Sequence, residues 1–209
     1  MLKREFTNED IRGKYDSFSR FYDFVQFPFE IIILARLRRK LLRDIYGKVL
    51  EIAIGSGRNL RYYNKDCKII GIDFSPKMLE IARQKARKLG TNADFYVGNA
   101  EKLRFEKGKF DFIVDSLGLC TYPNPIKALK EMARVCKKSG KILLLEHGIS
   151  NTRFFSKFQY WRDAKHHRAG KVGCSLIRNH EEIVKKAGLK IKNIERHLFG
   201  IFYVIIARP

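Results

Sequence analysis

The sequence predicts a doubly wound α/β fold: a seven-stranded, mostly parallel sheet covered by helices on both faces and closed by a C-terminal antiparallel hairpin. Three observations predict it. Short apolar runs alternate with amphipathic helical stretches along the chain, the pattern of a parallel sheet. The first apolar run ends in a glycine turn, Gly55-Ser56-Gly57. The last two runs, about Lys190 to Arg196 and Phe202 to Ala207, are separated only by a few residues around Leu198-Phe199-Gly200. No right-handed crossover fits in that gap, so these strands must turn back on each other.

Taken in order, Lys3 to Tyr46 reads as helical, first aromatic and then basic and amphipathic. Leu34, Leu37, Leu41 and Ile45 share one helical stripe while Arg36, Arg39, Lys40 and Arg43 turn away. Residues 1–46 are therefore read as an N-terminal helical lid or basic amphipathic segment, and 47–209 as the main domain. After Gly47 the period shortens. Val49 to Ile54 is a buried parallel strand, and Lys68 to Asp73 is the next. Ser75-Pro76 opens a helix, with serine as cap and proline in the first turn, and Gly90 closes it. Asp94 to Val97 and Phe110 to Asp115 are the third and fourth strands. Ile126 to Lys137 is a helix, and Lys141 to Glu146 the fifth strand. Asn151 to Val172 is a basic, aromatic insertion with no clean period, within a substrate-side region of about 149–178. Asn179-His180-Glu181-Glu182 caps a last helix that stops at Gly188.

Composition narrows the function. The 209 residues carry 43 Lys and Arg against 22 Asp and Glu, a formal charge of +21. Such a chain is drawn to anions, whether nucleic acid, anionic lipid or acidic small molecules. The start of the chain has neither the apolar run nor the cleavage site of a secretion signal, and Phe24 to Leu34 is too short to span a membrane and contains Glu30. Cys67, Cys120, Cys136 and Cys174 are far apart and form no CxxC pair. They are read as free thiols in a reducing cytoplasm, with no disulfide framework and no metal site.

The glycine turn is where chemistry enters. Gly55 and Gly57 let the backbone turn sharply and approach a ligand. A dinucleotide site would want a third glycine where Leu60 stands. Asp73 closes the second strand roughly 20 residues on, where a carboxylate can take both hydroxyls of a ribose. Its alternative reading is a helix-entry residue.

At these residues the chain resembles the class I S-adenosylmethionine-dependent methyltransferases, over about Tyr15 to Arg208. The similarity is greatest to the ubiquinone/menaquinone-type enzymes and to the methyltransferase-like thiol and lipid-associated branch. Tyr15-Asp16 with Tyr22-Asp23, the loop Leu50 to Leu60, Gly98-Asn99-Ala100-Glu101-Lys102-Leu103 and Phe110 to Asp115 carry it. Glu146-His147-Gly148, Trp161 and Gly173 to Arg178 resemble the second branch in particular. The chain departs from the pattern at Ala53, where the family usually has glycine, and at Asn99, where aspartate is common.

The resemblance implies a Rossmann-like methyltransferase fold and S-adenosylmethionine as cofactor. Glu51, Ala53 and the Gly55–Gly57 backbone would hold its methionine end, with Asn59 at a helix start helping its carboxylate. Asp73 would hold the ribose. Phe74 and Met78 would flank the adenine, or simply pack the core, and Asn99 and Ala100 would meet its edge. Ser116 and Leu117 would lie beneath the sulfonium, and Tyr15 and Tyr22 would close a lid or pack the N-terminal helix. His147, Tyr122 and Cys120 are the catalytic candidates, with His147 first because it follows the fifth strand.

The acceptor is read as small or lipid-like, a quinone ring carbon, a phospholipid amine or a thiol, met at the cytoplasmic membrane surface. Two regions suggest it. Arg36 to Arg43 is either a solvated face or an interfacial helix on anionic lipid. Arg162 to Lys171, near Phe154, Phe155, Phe158, Tyr160 and Trp161, suits an apolar substrate or, through stacking, nucleic-acid bases. An RNA methyltransferase, or a non-catalytic protein that binds cofactor or nucleic acid on the same fold, is the alternative.

Overall fold

The computed structural model describes residues 33–168 and 175–209. One sheet of seven strands runs through them in the order β3-β2-β1-β4-β5-β7-β6. Its strands are β1 (Gly47–Ile52), β2 (Cys67–Asp73), β3 (Ala93–Val97), β4 (Phe110–Ser116), β5 (Cys136–His147), β6 (Lys190–His197) and β7 (Phe202–Arg208). The first five are parallel, and β7 runs antiparallel to both β5 and β6. The predicted hairpin thus enters the sheet with its last strand inside.

Among the described residues five α-helices accompany the sheet: α1 (Ala35–Leu42), α2 (Pro76–Leu89), α3 (Pro125–Val135), α4 (Arg153–Arg168) and α5 (His180–Lys186). Alternation along the strands sends side chains to two cores. Val49, Ile69, Val114 and Leu143 meet Leu37 and Leu41 of α1 and Leu79 of α2 on one face. Leu50, Ile113, Ile142 and Leu144 meet Leu129 and Met132 of α3 and Val184 of α5 on the other. The caps form where the sequence places them. The Ser75 hydroxyl accepts the Met78 amide at 3.1 Å, and Gly90 ends α2 at φ +61°. Asn179 caps α5 through the Glu182 amide.

Four expectations change. The glycine turn leads into a single 3-10 turn, Leu60–Tyr62, and no α-helix separates β1 from β2. Tyr63 is extended, and the Asn64 amide donates to the Arg43 and Ile45 carbonyls at 2.7 and 3.1 Å, which holds the segment against the end of α1. The helix after β4 stops at Val135, and the chain passes directly into β5 at Cys136, opposite Phe110. The unpatterned insertion contains the 16-residue helix α4. Finally, the apolar stripe of α1 faces the sheet: Leu34, Leu37, Leu41 and Ile45 are buried, and Lys40 pairs with Glu195 at 2.7 Å. The interfacial-helix reading of Arg36 to Arg43 fails because no apolar face is left for lipid. Residues 1–32, with Tyr15 and Tyr22, and residues 169–174, with Cys174, lie outside the described residues. Cys67, Cys120 and Cys136 are buried thiols with no disulfide among the described residues.

Candidate active site

A cavity opens at the C-terminal ends of β1, β2 and β4, the edge where parallel α/β sheets bind ligands. Its rim is built from left-handed turns. Ala53, Gly55 and Leu117 stand at φ +50°, +55° and +62°. For Ala53 and Leu117 this conformation costs about 1–2 kcal/mol each. A Cβ on Gly55 would project into space with only the Ala53 carbonyl near, at 3.9 Å, so glycine there leaves the cavity open. Gly57 serves a different purpose. A Cβ on it would stand 2.5 Å from Leu60 Cδ1 and 3.2 Å from Ala82, and it does not line the cavity.

Asp73 lines the cavity from the end of β2. Its Oδ2 accepts the Gly55 amide at 2.8 Å and its Oδ1 the Ser75 amide at 2.9 Å. These two amides fix the carboxylate at the cavity's edge. Phe74, Met78, Ala100, Ser116 and Leu117 share the lining. Asn99 lies in an adjoining hollow that shares Ile72, Phe74 and Gly98 with it, and its Oδ1 accepts the Glu101 amide at 2.7 Å.

Glu51 and Asn59 sit behind the rim. Glu51 is 2% exposed and accepts from Asn59 Nδ2 at 2.8 Å and from the Tyr63 hydroxyl at 2.7 Å. Burial pushes its carboxyl up to about 7 against these donors. Asn59 Nδ2 also donates to Ser116 Oγ at 3.0 Å, and its Oδ1 accepts from Arg38 Nη1 at 2.7 Å. Arg38, on α1, is 6% exposed. Asn59 thus stands at the start of the 3-10 turn, but its side chain makes no cap there and instead joins α1, β1 and β4.

Of the three catalytic candidates, Tyr122 alone lines the cavity. Cys120 is buried, with its thiol on the Leu117 carbonyl at 3.4 Å. His147 ends β5 outside the lining, and its carbonyl meets His180 Nε2 at 2.9 Å.

Two carboxylates that sequence reasoning missed lie beneath Tyr122. Asp115 and Glu146 are both fully buried. Asp115 pairs with Leu144 across β4 and β5, so Glu146, two residues on, points to the same face. Glu146 Oε1 accepts the Gly118 and Leu119 amides at 3.1 and 3.2 Å. Both Asp115 oxygens, Glu146 Oε2 and the Tyr122 hydroxyl are buried without a well-formed hydrogen bond. A Cβ on Gly118 would collide with Asp115 Oδ1 and the Tyr122 hydroxyl, which places these two groups around one point. Arg178 fixes the loop by donating to the Leu119 and Tyr122 carbonyls, the latter at 2.8 Å. Desolvation holds both Asp115 and Glu146 well above the ordinary range, aided at Asp115 by the Glu51 and Asp73 charges and at Glu146 by Asp115. Burial and the same charges keep the Tyr122 hydroxyl protonated. The signal was present in the parity: Ile113-Val114-Asp115 and Leu144-Leu145-Glu146 each end an apolar alternation in an acid on one sheet face.

The residues fit a cationic nucleoside. The rim is open where Gly55 lacks a Cβ, the wall is apolar at Phe74 and Met78, and the Asp73 carboxylate stands at the end of β2. Further acids gather around the floor of a chain that carries +21.

A family description, "Methyltransferase domain", matches residues 50–144. The chain is 31% identical over 197 residues to the mitochondrial methyltransferase OMS1 of Saccharomyces cerevisiae, covering 85% of this chain and 41% of that protein. It is 34% identical over 164 residues to the ubiquinone/menaquinone biosynthesis C-methyltransferase UbiE of Citrifermentans bemidjiense, covering 73% of this chain and 69% of that one. The fold matches a SAM-dependent methyltransferase of Aquifex aeolicus with a TM-score of 0.61 at 19% identity, over 97% and 98% of the two chains.

Proposed function

The chain belongs to the S-adenosylmethionine-dependent methyltransferases of the ubiquinone/menaquinone type, and from that premise we propose that it methylates a ring carbon of a small or lipid-like acceptor at a membrane surface. The observation that supports this reading is Tyr122, which lines the cavity and carries its buried hydroxyl back toward the buried Asp115–Glu146 pair. S-Adenosylmethionine supplies, when bound, a methyl carbon already activated by a positive sulfur. Asp73 would hold its ribose, Phe74 and Met78 its adenine, Gly98 and Ala100 the adenine edge, and Ala53 and Gly55 the methionine end. Ser116 and Leu117 would lie under the sulfonium. The Glu51–Asn59–Arg38 network acts at one remove, by fixing the rim.

What remains for the protein is the acceptor. A ring carbon that gains a methyl must lose a proton, and this is the step that needs a base. In the proposed arrangement the acceptor proton passes to the Tyr122 oxygen as the Tyr122 proton passes to Asp115, whose carboxyl, pushed up to about 8 by burial, must have ionised before the step. The pair's raised proton affinity makes it a stronger base than an ordinary carboxylate. The surrounding apolar wall excludes water from the transfer.

The test offers the purified protein labelled cofactor with a demethylated quinol, phosphatidylethanolamine, an aliphatic thiol and RNA, and identifies the product by mass. A carbon-methylated quinol is the expected product. Methylation at nitrogen, at sulfur or on RNA alone would overturn the acceptor reading. Calorimetric binding of S-adenosylhomocysteine with no product from any pool would overturn catalysis. Asp73→Ala should weaken that binding at least tenfold, through two lost hydrogen bonds to a charged group.

A further inference from the structure

The helix α4 is inside out. Its inner stripe is polar: Gln159 and Asp163 are each 6% exposed. Gln159 accepts the Ser150 amide and donates to the Gly148 carbonyl, both at 2.8 Å, and Asp163 accepts the Leu176 amide at 3.1 Å. These bonds seat α4 on the segment leaving β5 and on the stretch before α5, at the same edge of the sheet as the cavity. Its outer stripe is aromatic. Phe154, Phe158 and Trp161 follow one another at helical spacing and are 77%, 51% and 56% exposed.

Cations accompany the aromatics. Lys157 and Lys165 lie on the same outward side, Arg153 and Arg162 flank it, and Lys165 Nζ stands 5.5 Å from the Trp161 ring centroid. The helix's one acid, Asp163, is the buried one. The β6–β7 turn extends the patch. Phe199 is 58% exposed and stacks on Phe155 at 4.5 Å. Leu198 and Phe199 hold left-handed φ values of +49° and +54°, and the Ser150 hydroxyl grips the Phe199 carbonyl. Strain of that kind persists only where surrounding contacts enforce it, and here it keeps an aromatic ring in solvent.

We infer that the outer face of α4, with Phe199, is a docking surface for a bilayer containing anionic lipid. Exposed rings among cations are the composition of an interfacial helix: the rings enter the headgroup boundary and the lysines meet phosphate. Charge complementarity selects an anionic surface, since this face presents no exposed acid on the helix. The inference rests on the proposed lipid-like acceptor only in its purpose, which is to bring the cavity edge to a membrane-dissolved substrate.

Trp161 is the chain's one tryptophan, so its emission reports docking directly. The protein is mixed with vesicles of phosphatidylcholine alone or with phosphatidylglycerol, with and without bromine on the acyl chains. With phosphatidylglycerol we expect flotation, a blue shift and bromine quenching, all weakened by salt, and at least tenfold weaker binding to phosphatidylcholine alone. The double variant Phe154→Ser/Phe158→Ser retains Trp161 and should lose at least tenfold in vesicle binding while its affinity for S-adenosylhomocysteine is unchanged. Wild-type flotation of that variant would overturn the proposal, and so would no blue shift on anionic vesicles, or tight RNA binding with no vesicle binding. Calorimetry with S-adenosylhomocysteine on the same sample separates the two readings. Nucleoside binding without vesicle binding sinks the docking surface alone, and vesicle binding without nucleoside binding sinks the functional reading alone.

Discussion

The floor of the cavity and the outer face of α4 are opposites. Just beneath the cavity lining, Asp115 and Glu146 are buried in a chain of +21. On α4, Phe154, Phe158 and Trp161 lie in solvent while Gln159 and Asp163 are covered. Each region inverts the usual placement of charge and apolar surface. An inverted placement costs stability, so each marks a place where something other than the fold sets the residue type. The floor suits a cation and a departing proton, and the face suits an anionic surface.

The largest expected effect breaks the floor. Asp115→Asn removes a buried carboxyl whose ionisation is opposed by desolvation, so the protein should hold or gain stability against urea while methyl transfer falls about 100-fold. Tyr122→Phe should show a similar loss in kcat with little change in nucleoside affinity. Unchanged turnover in both variants would make the floor a mere packing irregularity. Next in size is pH. A Glu51 carboxyl that titrates near 7 when folded, against about 4.5 when free, binds its proton more tightly in the native state. Its stabilisation is complete below about pH 4.5 and is lost as pH rises through 7, roughly 3 kcal/mol at the limit. Urea midpoints measured from pH 5 to 8 should fall, and Glu51→Gln should flatten that slope. A smaller effect lies on the rim. Ala53→Gly relieves a left-handed φ of +50° and should stabilise by up to about 1 kcal/mol. The smallest belongs to the face: Phe158→Ser, at an exposed position, should change stability by no more than about 0.5 kcal/mol. A larger loss there would mean that the ring packs against the protein.

The sheet and its hairpin were readable because alternation and capping agree with the final fold. Ser75, Gly90 and Asn179 end their helices where local chemistry says they must. α4 was not readable as a helix, since its exposed residues are aromatic and its anchoring ones are Gln159 and Asp163, so hydrophobic period carries no signal. The missing helix after Gly57 depended on Asn64 reaching back to Arg43 and Ile45, a tertiary contact with no local trace. In the site, the turn and Asp73 stood out by spacing. Arg38 did not, because a buried arginine looks the same in sequence as its solvated neighbours Arg36 and Arg39. His147 drew notice by its place at a strand end, but being at the right edge does not put a side chain in the cavity.

The position of β7 bears on how the molecule is made. Phe202–Arg208 fills a slot between β5 and β6, each synthesised before it. A nascent chain on the ribosome would hold two strands apart, with unpaired edges, until those seven residues had emerged. Completion of the sheet therefore waits on β7, and loss of that segment would leave a gap in its interior rather than a frayed margin.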